Sequence, residues 1–259
     1  MVGKATAKQI IATNIDVGLI VQSVGRDFNL NRLDRYLSLC YAAEVLPVVV
    51  INKIDLIERT ELETLLRDVH ERNQGVQIIL SSIETGDGLP EIRSLIEKGK
   101  THCMLGSSGV GKSTLLNALA GSSVMETGEI SVAIDRGKHV TTHRELFVLP
   151  DGGIIIDNPG MRELGMIDSE EGVETTFDTI VDLARECRFK DCRHEGERGC
   201  AVQVAIEDGS VDAAALENYH KLIREKNHYE ASEVDRRRKD KNLGKMYKQI
   251  QKKRRRDKY

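Results

Sequence analysis

Gly106-Ser107-Ser108-Gly109-Val110-Gly111-Lys112-Ser113-Thr114 fits the pattern G-x-x-x-x-G-K-[ST] of a loop that binds nucleotide phosphates. Its glycines let the backbone turn tightly and point successive N–H groups at the anionic phosphates. Lys112 supplies a positive charge to the outer phosphates, and the Ser113 hydroxyl can ligate Mg²⁺. The flanking residues predict a strand over 102–105 and a helix over 114–120, the setting that such a loop requires. We therefore predict a phosphate loop here rather than a chance Gly/Ser-rich turn.

Strands and helices alternate along the first two thirds of the chain. Apolar runs predict buried strands over 15–24, 46–51 and 76–80, and periodic segments predict helices over 29–44, 58–72 and 89–98. Two further strands, over 146–149 and 153–156, flank an Asp-Gly turn and predict a hairpin. The alternation predicts an α/β fold whose mostly parallel sheet is flanked by helices. We predict three parts: this domain over 1–171, a small, mostly helical domain over 172–234, and a tail over 235–259.

Asn52-Lys53-Ile54-Asp55 follows a predicted buried strand, at the edge of the sheet where ligands bind. The Asp55 carboxylate can accept hydrogen bonds from N1–H and the 2-amino group of guanine, whereas adenine would leave it unpaired. Asn52 can bond the base or tie neighbouring loops together, and the Lys53 stem can lie on the purine face. Ser81 and Ser82, after the next strand, are expected to donate backbone N–H groups to the base. The sequence thus predicts recognition of a guanine nucleotide.

A third polar loop, Asp157-Asn158-Pro159-Gly160, follows the strand 153–156. Asp157 can hold Mg²⁺ through water, and the Gly160 N–H can contact the γ-phosphate. Upstream, either Thr141 or Thr142 is placed to close over Mg²⁺, and the sequence does not choose between them.

The position after Gly160 holds Met161, where many GTPases carry a glutamine that orients the attacking water. A thioether cannot perform that role, so another group must do so, or hydrolysis is slow until a partner binds. His139 and His143 are the nearby candidates, with an exposed, non-catalytic histidine as the alternative for each.

The order of these motifs is unusual for a GTPase. The base-recognition loops (52–55 and 81–83) precede the phosphate loop (106–114), which precedes the stretch 137–160. Because the common order begins with the phosphate loop, we predict that the domain is circularly permuted. Movement of the loop at 157–160 is therefore expected to pull on the domain that follows it.

Three thiols and one imidazole lie within 14 residues, at Cys187, Cys192, His194 and Cys200. A Cys₃His set is a closed tetrahedral site for structural zinc, with no open position for catalysis. Zinc would stabilise a segment that has little apolar content of its own. Incidental cysteines are the alternative, and the close spacing disfavours them.

Composition and charge limit the class of protein. No apolar run approaches the ~18 residues of a membrane helix, and an odd number of cysteines, five, favours a reducing cytoplasm. Residues 235–259 hold 13 Lys and Arg against 3 Asp and Glu, a net of +10, whereas residues 1–234 hold 25 against 38, a net of −13. A basic tail on an acidic body favours contact with the phosphate backbone of folded RNA over a merely solvated terminus. We expect a cytoplasmic monomer without a membrane partner.

These motifs, in this order, resemble the ribosome small subunit-dependent GTPase A family (RsgA, also called YjeQ). The resemblance implies a permuted GTPase that uses GTP/GDP with Mg²⁺, one structural Zn²⁺, and action in late maturation of the small ribosomal subunit through its rRNA. It also implies hydrolysis stimulated by that subunit, with His139 assisting in place of the missing glutamine. The matching segments are 27–30, 52–55, 85–89, 106–114, 137–139, 157–165 and 187–202.

The chain departs from the family pattern at three points. The family usually begins with an RNA-binding OB-fold domain, and almost nothing precedes the first predicted strand here, so a shortened chain and a minimal member are both open. Val140 interrupts the threonine run, and Asn158 stands where threonine is more usual. We expect both changes to slow hydrolysis. A GTP-regulated RNA-binding module with incidental turnover is therefore the alternative function, while Asn52 and Asp55 disfavour an ATP-using kinase.

Overall fold

The computed structural model describes residues 12–121, 145–157 and 170–228. Within these ranges six strands form one sheet in the order β3-β2-β1-β4-β6-β5. Of the five pairings, four are parallel, and in the fifth β5 runs antiparallel to β6. The predicted α/β fold and the predicted hairpin are therefore confirmed. The strands are β1 (Val17–Ser23), β2 (Leu46–Asn52), β3 (Gln77–Ser81), β4 (Thr101–Leu105), β5 (Glu145–Val148) and β6 (Ile154–Asp157).

Eight α-helices and two short 3₁₀ helices (Gly25–Asp27 and Ile54–Leu56) occur in the described ranges, and the first four α-helices follow the predicted segments closely. Asn29 caps the first α-helix, and its side chain accepts a hydrogen bond from the Arg32 N–H, as its residue type predicts. The third α-helix ends at Leu95 rather than at the predicted residue 98, because Ile96 leaves helical geometry with φ −84° and ψ 85°. The α-helices are α1 (Leu30–Ala42), α2 (Arg59–Arg72), α3 (Leu89–Leu95), α4 (Lys112–Ala120), α5 (Glu170–Thr176), α6 (Asp178–Arg185), α7 (Ala201–Glu207) and α8 (213–228).

The central strands β1, β2 and β4 are buried on both faces, which explains why β1 and β2 read as continuous apolar runs. In β1, Leu19 and Val21 join one core cluster and Ile20 joins the other, and all seven residues of the strand are buried. The same strand lies between two neighbours, since Val17 stands opposite both Leu46 of β2 and His102 of β4.

Residues 170–228, called here the C-terminal region, have an apolar cluster of their own, to which α5, α6, α7 and α8 all contribute. This region packs on α1 at very short range. A Cβ atom at Gly172 would lie 2.0 Å from the Ser38 carbonyl oxygen, so only glycine fits there. None of the helices within the described residues has the length and apolar character needed to cross a bilayer.

Candidate nucleotide site and metal centre

The phosphate loop follows β4 at the carboxyl edge of the sheet, and close contacts require glycine at positions 106 and 111. Gly106 adopts φ +151°, and a Cβ atom there would lie 2.3 Å from the Val21 carbonyl oxygen. Gly111, at φ +97°, is the N-cap of α4. The unpaired N–H groups of the first turn of α4 therefore face the loop, which is the arrangement that binds phosphate.

Lys112 is held over the phosphate loop by two backbone carbonyl groups. Its Nζ atom donates to the oxygens of Gly106 and Ser107, each at 2.9 Å, and the residue is only 7% exposed. Burial lowers the pKa of Lys112, and the nearby Asp157 carboxylate opposes that shift. The ammonium group is thus already positioned at the loop, so an anionic ligand would meet a fixed positive charge.

Asp157 ends β6 and stands beside Met104 of β4, close to the start of the phosphate loop. Its Oδ1 atom is buried and has no hydrogen-bond partner within the described residues. Burial raises the pKa of Asp157, the charge of Lys112 opposes the rise, and Glu145 adds to it. A buried carboxylate oxygen without a partner is costly, so a cation or a cation-bound water at this position fits the chemistry of the site.

Asn52 joins the first base-recognition loop to its neighbours. Its Nδ2 atom donates to the Val110 carbonyl oxygen at 3.0 Å, and its Oδ1 atom accepts from the Ser81 hydroxyl at 3.1 Å. The residue is 1% exposed, so this amide links three loops rather than facing an open site. Of the two roles open to Asn52 from the sequence, the geometry favours the tie between loops.

Asp55 is oriented by the second base-recognition loop. The Ser82 hydroxyl donates to Asp55 Oδ1, and it also accepts from the Thr85 N–H at 3.3 Å. The Ser82 N–H donates to the Asp87 carbonyl oxygen at 3.1 Å, so this donor is engaged within its own loop. Sequence reasoning expected backbone donation to the base and missed the part that the Ser82 side chain plays.

Lys53 lies between the first base-recognition loop and the phosphate loop. It adopts a left-handed conformation with φ +63°, and its Nζ atom donates to the Gly109 carbonyl oxygen at 2.9 Å. The side chain therefore extends across the site, where its aliphatic stem is available to one face of a bound base.

Tyr36 of α1 lies near the phosphate loop and was not found by sequence reasoning. The residue is only 1% exposed. Burial raises the pKa of Tyr36, and the nearby Ser107 side chain opposes that rise. At helical spacing among leucines, this tyrosine reads as a core residue, so the sequence alone carried no signal of its place beside the loop.

Part of the predicted site lies outside the described residues, namely His139, Thr141, Thr142 and Gly160, together with the basic tail. The predicted residues of the phosphate loop follow β4 as expected. Ser113 is partly buried at the start of α4, whereas Ser108, Gly109 and Thr114 are exposed.

The structure brings the four predicted metal ligands together. The ligand atoms of Cys187, Cys192, His194 and Cys200 all lie within 4.8 Å of one another. The Sγ atoms of Cys187 and Cys200 are 3.8 Å apart, and His194 Nδ1 lies 3.6 Å and 3.3 Å from them. Bonds of about 2.3 Å to sulfur and about 2.0–2.1 Å to nitrogen in a tetrahedron give edges of about 3.8 Å and about 3.6 Å. The spacing therefore fits a zinc ion.

Glu197 fixes the loop that presents His194, which adopts the left-handed value φ +61°. One carboxylate oxygen of Glu197 accepts from the Arg193 N–H at 2.7 Å, and the other accepts from the Glu195 N–H at 2.8 Å. The first of these hydrogen bonds is the main reason why the pKa of Glu197 is lowered to about 2. Glu197 thus holds the backbone on both sides of His194, a role that the spacing of the ligands did not predict.

Comparison with known proteins identifies the family to which the chain belongs. The model of the RsgA GTPase family matches residues 2–167, and a model of the ABC transporter family matches 89–252, a range that includes the phosphate loop. "Small ribosomal subunit biogenesis GTPase RsgA 2" of Vibrio vulnificus is 43% identical over 96% of this chain and 71% of that protein. "Small ribosomal subunit biogenesis GTPase RsgA" of Methanosarcina acetivorans is 44% identical over 86% of this chain, which spans only 60% of that relative.

Solved structures agree with the sequence relatives. YjeQ from Thermotoga maritima superimposes with a TM-score of 0.60 at 33% identity, over 82% of this chain and 71% of that one. YloQ, described as a circularly permuted GTPase, gives a TM-score of 0.57 at 30% identity, over 82% and 68% of the two chains. A phosphate loop is common to many nucleotide-binding families, so it accounts for the transporter match without deciding between the two. The chain therefore belongs to the RsgA GTPase family of circularly permuted GTPases.

Proposed function

We propose that this protein binds GTP with Mg²⁺, hydrolyses it to GDP and phosphate, and assists late maturation of the small ribosomal subunit. The observation that carries the proposal is the Asn52 tie, which holds a guanine-type recognition loop against a phosphate loop in one buried network. The names of the relatives, which refer to small-subunit biogenesis, support the choice of partner.

Each side chain at the site has a distinct proposed role. Asp55, oriented by Ser82, accepts hydrogen bonds from guanine, and Lys53 covers the base. Lys112 and the amide groups of residues 106–114 hold the phosphates. The Ser113 hydroxyl and the Asp157 carboxylate, the latter through water, are the described groups that would hold Mg²⁺. When bound, Mg²⁺ neutralises the charge that develops on the transferred phosphate.

The remaining catalytic assignments rest on the sequence. His139 is proposed to assist hydrolysis, Thr141 or Thr142 to close over Mg²⁺, and the Gly160 N–H to contact the γ-phosphate. Because Met161 cannot orient the attacking water, stimulation by the small subunit is part of the proposal.

The metal cluster and the tail are proposed to hold the protein on the ribosomal subunit. Zinc bound by Cys187, Cys192, His194 and Cys200 would stiffen the C-terminal region, and the basic tail would contact rRNA phosphates. We propose that the protein acts as a monomer in the cytoplasm, where it would meet assembling subunits.

The test is hydrolysis of GTP and ATP by the purified protein, with and without small ribosomal subunits, at two salt concentrations. We expect turnover of GTP alone, which rises with subunits and falls with salt because each phosphate contact adds to the salt dependence. Equal turnover of both nucleotides would refute the assignment of Asp55. GTP-dependent binding to subunits without any rise in turnover would favour the alternative, a GTP-regulated binding module. Met161 supports this alternative, because it cannot orient the attacking water.

A further inference from the structure

A groove lies between helix α2 and the segment that leads into α1, and its volume is about 690 Å³. Its floor is apolar and consists of half-buried side chains at the edge of the core cluster beneath the two helices. None of the residues that line the groove belongs to the phosphate loop or to the base-recognition loops. The groove is therefore an apolar surface that the proposed nucleotide site does not use. The floor residues are Phe28, Leu30, Ile57 and Leu65.

Two carboxylates of α2 line the same groove. Glu61 and Asp68 are both exposed and lie two helical turns apart, so they project from one side of the helix. Among the described residues neither carboxylate has an ion-pair partner, and no lysine or arginine lines the groove. Glu63 of the same helix, by contrast, is paired with Arg59 at 2.9 Å. The groove thus combines an apolar floor with unpaired negative charge, the surface that a basic amphipathic peptide fits.

The basic tail of this chain contains a segment with the complementary pattern. Leu243, Met246, Tyr247 and Ile250 are spaced i, i+3, i+4 and i+7, so they share one face when the segment is helical. Such spacing is typical of the apolar anchors by which a helix binds in a groove. Residues 239–253 also carry six lysines against one acidic residue, so the charge of the segment is opposite to that of the groove.

The position of α8 brings the tail within reach of the groove. Asn218 Nδ2 of α8 donates to the Asn31 carbonyl oxygen at 3.4 Å, and Asn31 lines the groove. The same amide donates to the buried Asp34 carboxylate of α1 at 2.8 Å, which holds α8 against α1. From Asn218 to residue 228 the helix advances about 15 Å, and the 15 residues from 229 to 243 can span up to about 50 Å. The segment can therefore reach the groove without any change in the described structure.

We infer that the groove between α1 and α2 binds residues 243–250 of this chain's own tail, and that this binding competes with RNA. The inference rests on the proposed contact between the tail and rRNA, and it adds a state in which that contact is withheld. Lysines that lie along Glu61 and Asp68 cannot contact RNA phosphates at the same time. RNA and the groove therefore compete for one segment, and RNA bound to the tail leaves the groove open.

Attachment to the same chain makes a weak contact sufficient. A tether of this length gives the segment an effective concentration of about 1 mM at the groove. A site with a dissociation constant of about 100 μM would then be occupied in roughly nine tenths of the molecules. Only about one tenth would have a free tail, so the apparent affinity for RNA would be lowered about tenfold.

The first test locates the tail by photo-crosslinking in the full chain. The photoreactive residue p-benzoylphenylalanine in place of Thr60, which lines the groove, should crosslink to residues 239–253 of the same chain. The same probe in place of His70, which is exposed on α2 outside the groove, is the control and should give little of this product. Leu243→Ser/Ile250→Ser removes two apolar anchors and should abolish the crosslink from position 60, as should an excess of folded RNA.

Three results of this test would overturn the inference. They are no crosslink between position 60 and the tail, equal yields from positions 60 and 70, and a product that joins two chains. The last result would assign the groove to the tail of a second copy. Mass spectrometry of the crosslinked peptides and the size of the product separate these cases.

The second test measures the dissociation constant of the full chain for a folded RNA hairpin at fixed salt. Glu61→Gln/Asp68→Asn removes the charge of the groove and should tighten RNA binding by at least about fivefold, because it frees the tail. Glu63→Gln/Glu71→Gln is the matched control, since it makes the same change in net charge on the same helix outside the groove. The comparison thus excludes a general effect of charge on RNA affinity. Equal affinities of the two variants would overturn the competition.

Thermal melting checks that each variant is folded. Leu243→Ser/Ile250→Ser changes only the tail and keeps every lysine, so it should tighten RNA binding as the groove variant does, even if the groove variant fails to fold. The crosslink needs neither nucleotide nor RNA. Its presence in a chain that binds no RNA would refute the proposed contact between tail and RNA, and with it the competition, but not the assignment of the groove.

Discussion

Asn52 Nδ2 donates to the Val110 carbonyl oxygen at 3.0 Å, across 58 residues of sequence. This single amide joins the first base-recognition loop to the phosphate loop, and it also accepts from Ser81 in the second base-recognition loop. In a permuted chain the three loops occur in an unusual order, yet they meet at the same edge of the sheet. The geometry of the site therefore depends on contacts between loops and not on their order along the chain.

Replacement of Asn52 by alanine should weaken nucleotide binding without unfolding the protein. The change leaves the Val110 carbonyl and the Ser81 hydroxyl without this partner, which costs about 1–3 kcal/mol, or roughly 5- to 150-fold in affinity. Titration with fluorescent GDP measures the effect. Gln77→Ala, at an exposed position of β3, is the control and should bind normally. Normal affinity in Asn52→Ala would show that the tie contributes nothing to the site.

Asp55→Asn should change the base that the protein prefers. An amide in place of the carboxylate keeps one acceptor for N1–H but replaces the other with a donor, which suits the 2-oxo group of xanthine and not the 2-amino group of guanine. Selectivity for GTP over XTP should therefore fall by roughly 100-fold or more, because a donor that faces a donor in the bound complex is penalised strongly. Competition between GTP and XTP measures the change. If GTP preference persists in Asp55→Asn, another residue reads the base.

Alanine substitutions at two glycines of the phosphate loop should distinguish the stability cost of steric overlap from the cost of a left-handed backbone conformation. Gly109→Ala should cost only about 1–2 kcal/mol of unfolding free energy, because at φ +87° nothing lies within 4 Å of the new Cβ. Gly106→Ala should cost more than about 3 kcal/mol, because its Cβ would overlap the Val21 carbonyl oxygen at 2.3 Å. Denaturant unfolding without nucleotide compares the two variants. Equal losses would mean that the overlap is relieved by a movement of β1.

Removal of zinc should selectively disorder the C-terminal region. Cys200→Ser should lower the zinc content from about one ion per chain and increase hydrogen exchange over residues 187–207, since the ion closes the loop that holds its ligands. Cys103→Ala is the control: this thiol lies in β4, so its loss should lower stability and leave the zinc content unchanged. Full retention of zinc in Cys200→Ser would remove this cysteine from the ligand set.

Local motifs made much of the fold and site predictable. The phosphate loop, the Asn52–Asp55 stretch and the Cys₃His spacing each occupy a few consecutive residues, and apolar periodicity marked the strands and helices. The role of Ser82 in orienting Asp55 was missed because it depends on how two loops face each other. Asp34 was missed for a similar reason, since its partner Asn218 lies 184 residues away and a buried acid on an amphipathic helix leaves no periodic signal.

Strand β1 contributes no side chain that we assign to the nucleotide, yet it lies between the strand that leads to Asn52 and the strand that leads to the phosphate loop. Neighbouring strands are about 4.7–4.9 Å apart, so the two loops start about 10 Å from each other. The strand thus sets the distance between the loop proposed to hold the base and the loop proposed to hold the phosphates. Since all seven of its residues are buried, the core holds that length fixed whether or not a ligand is present.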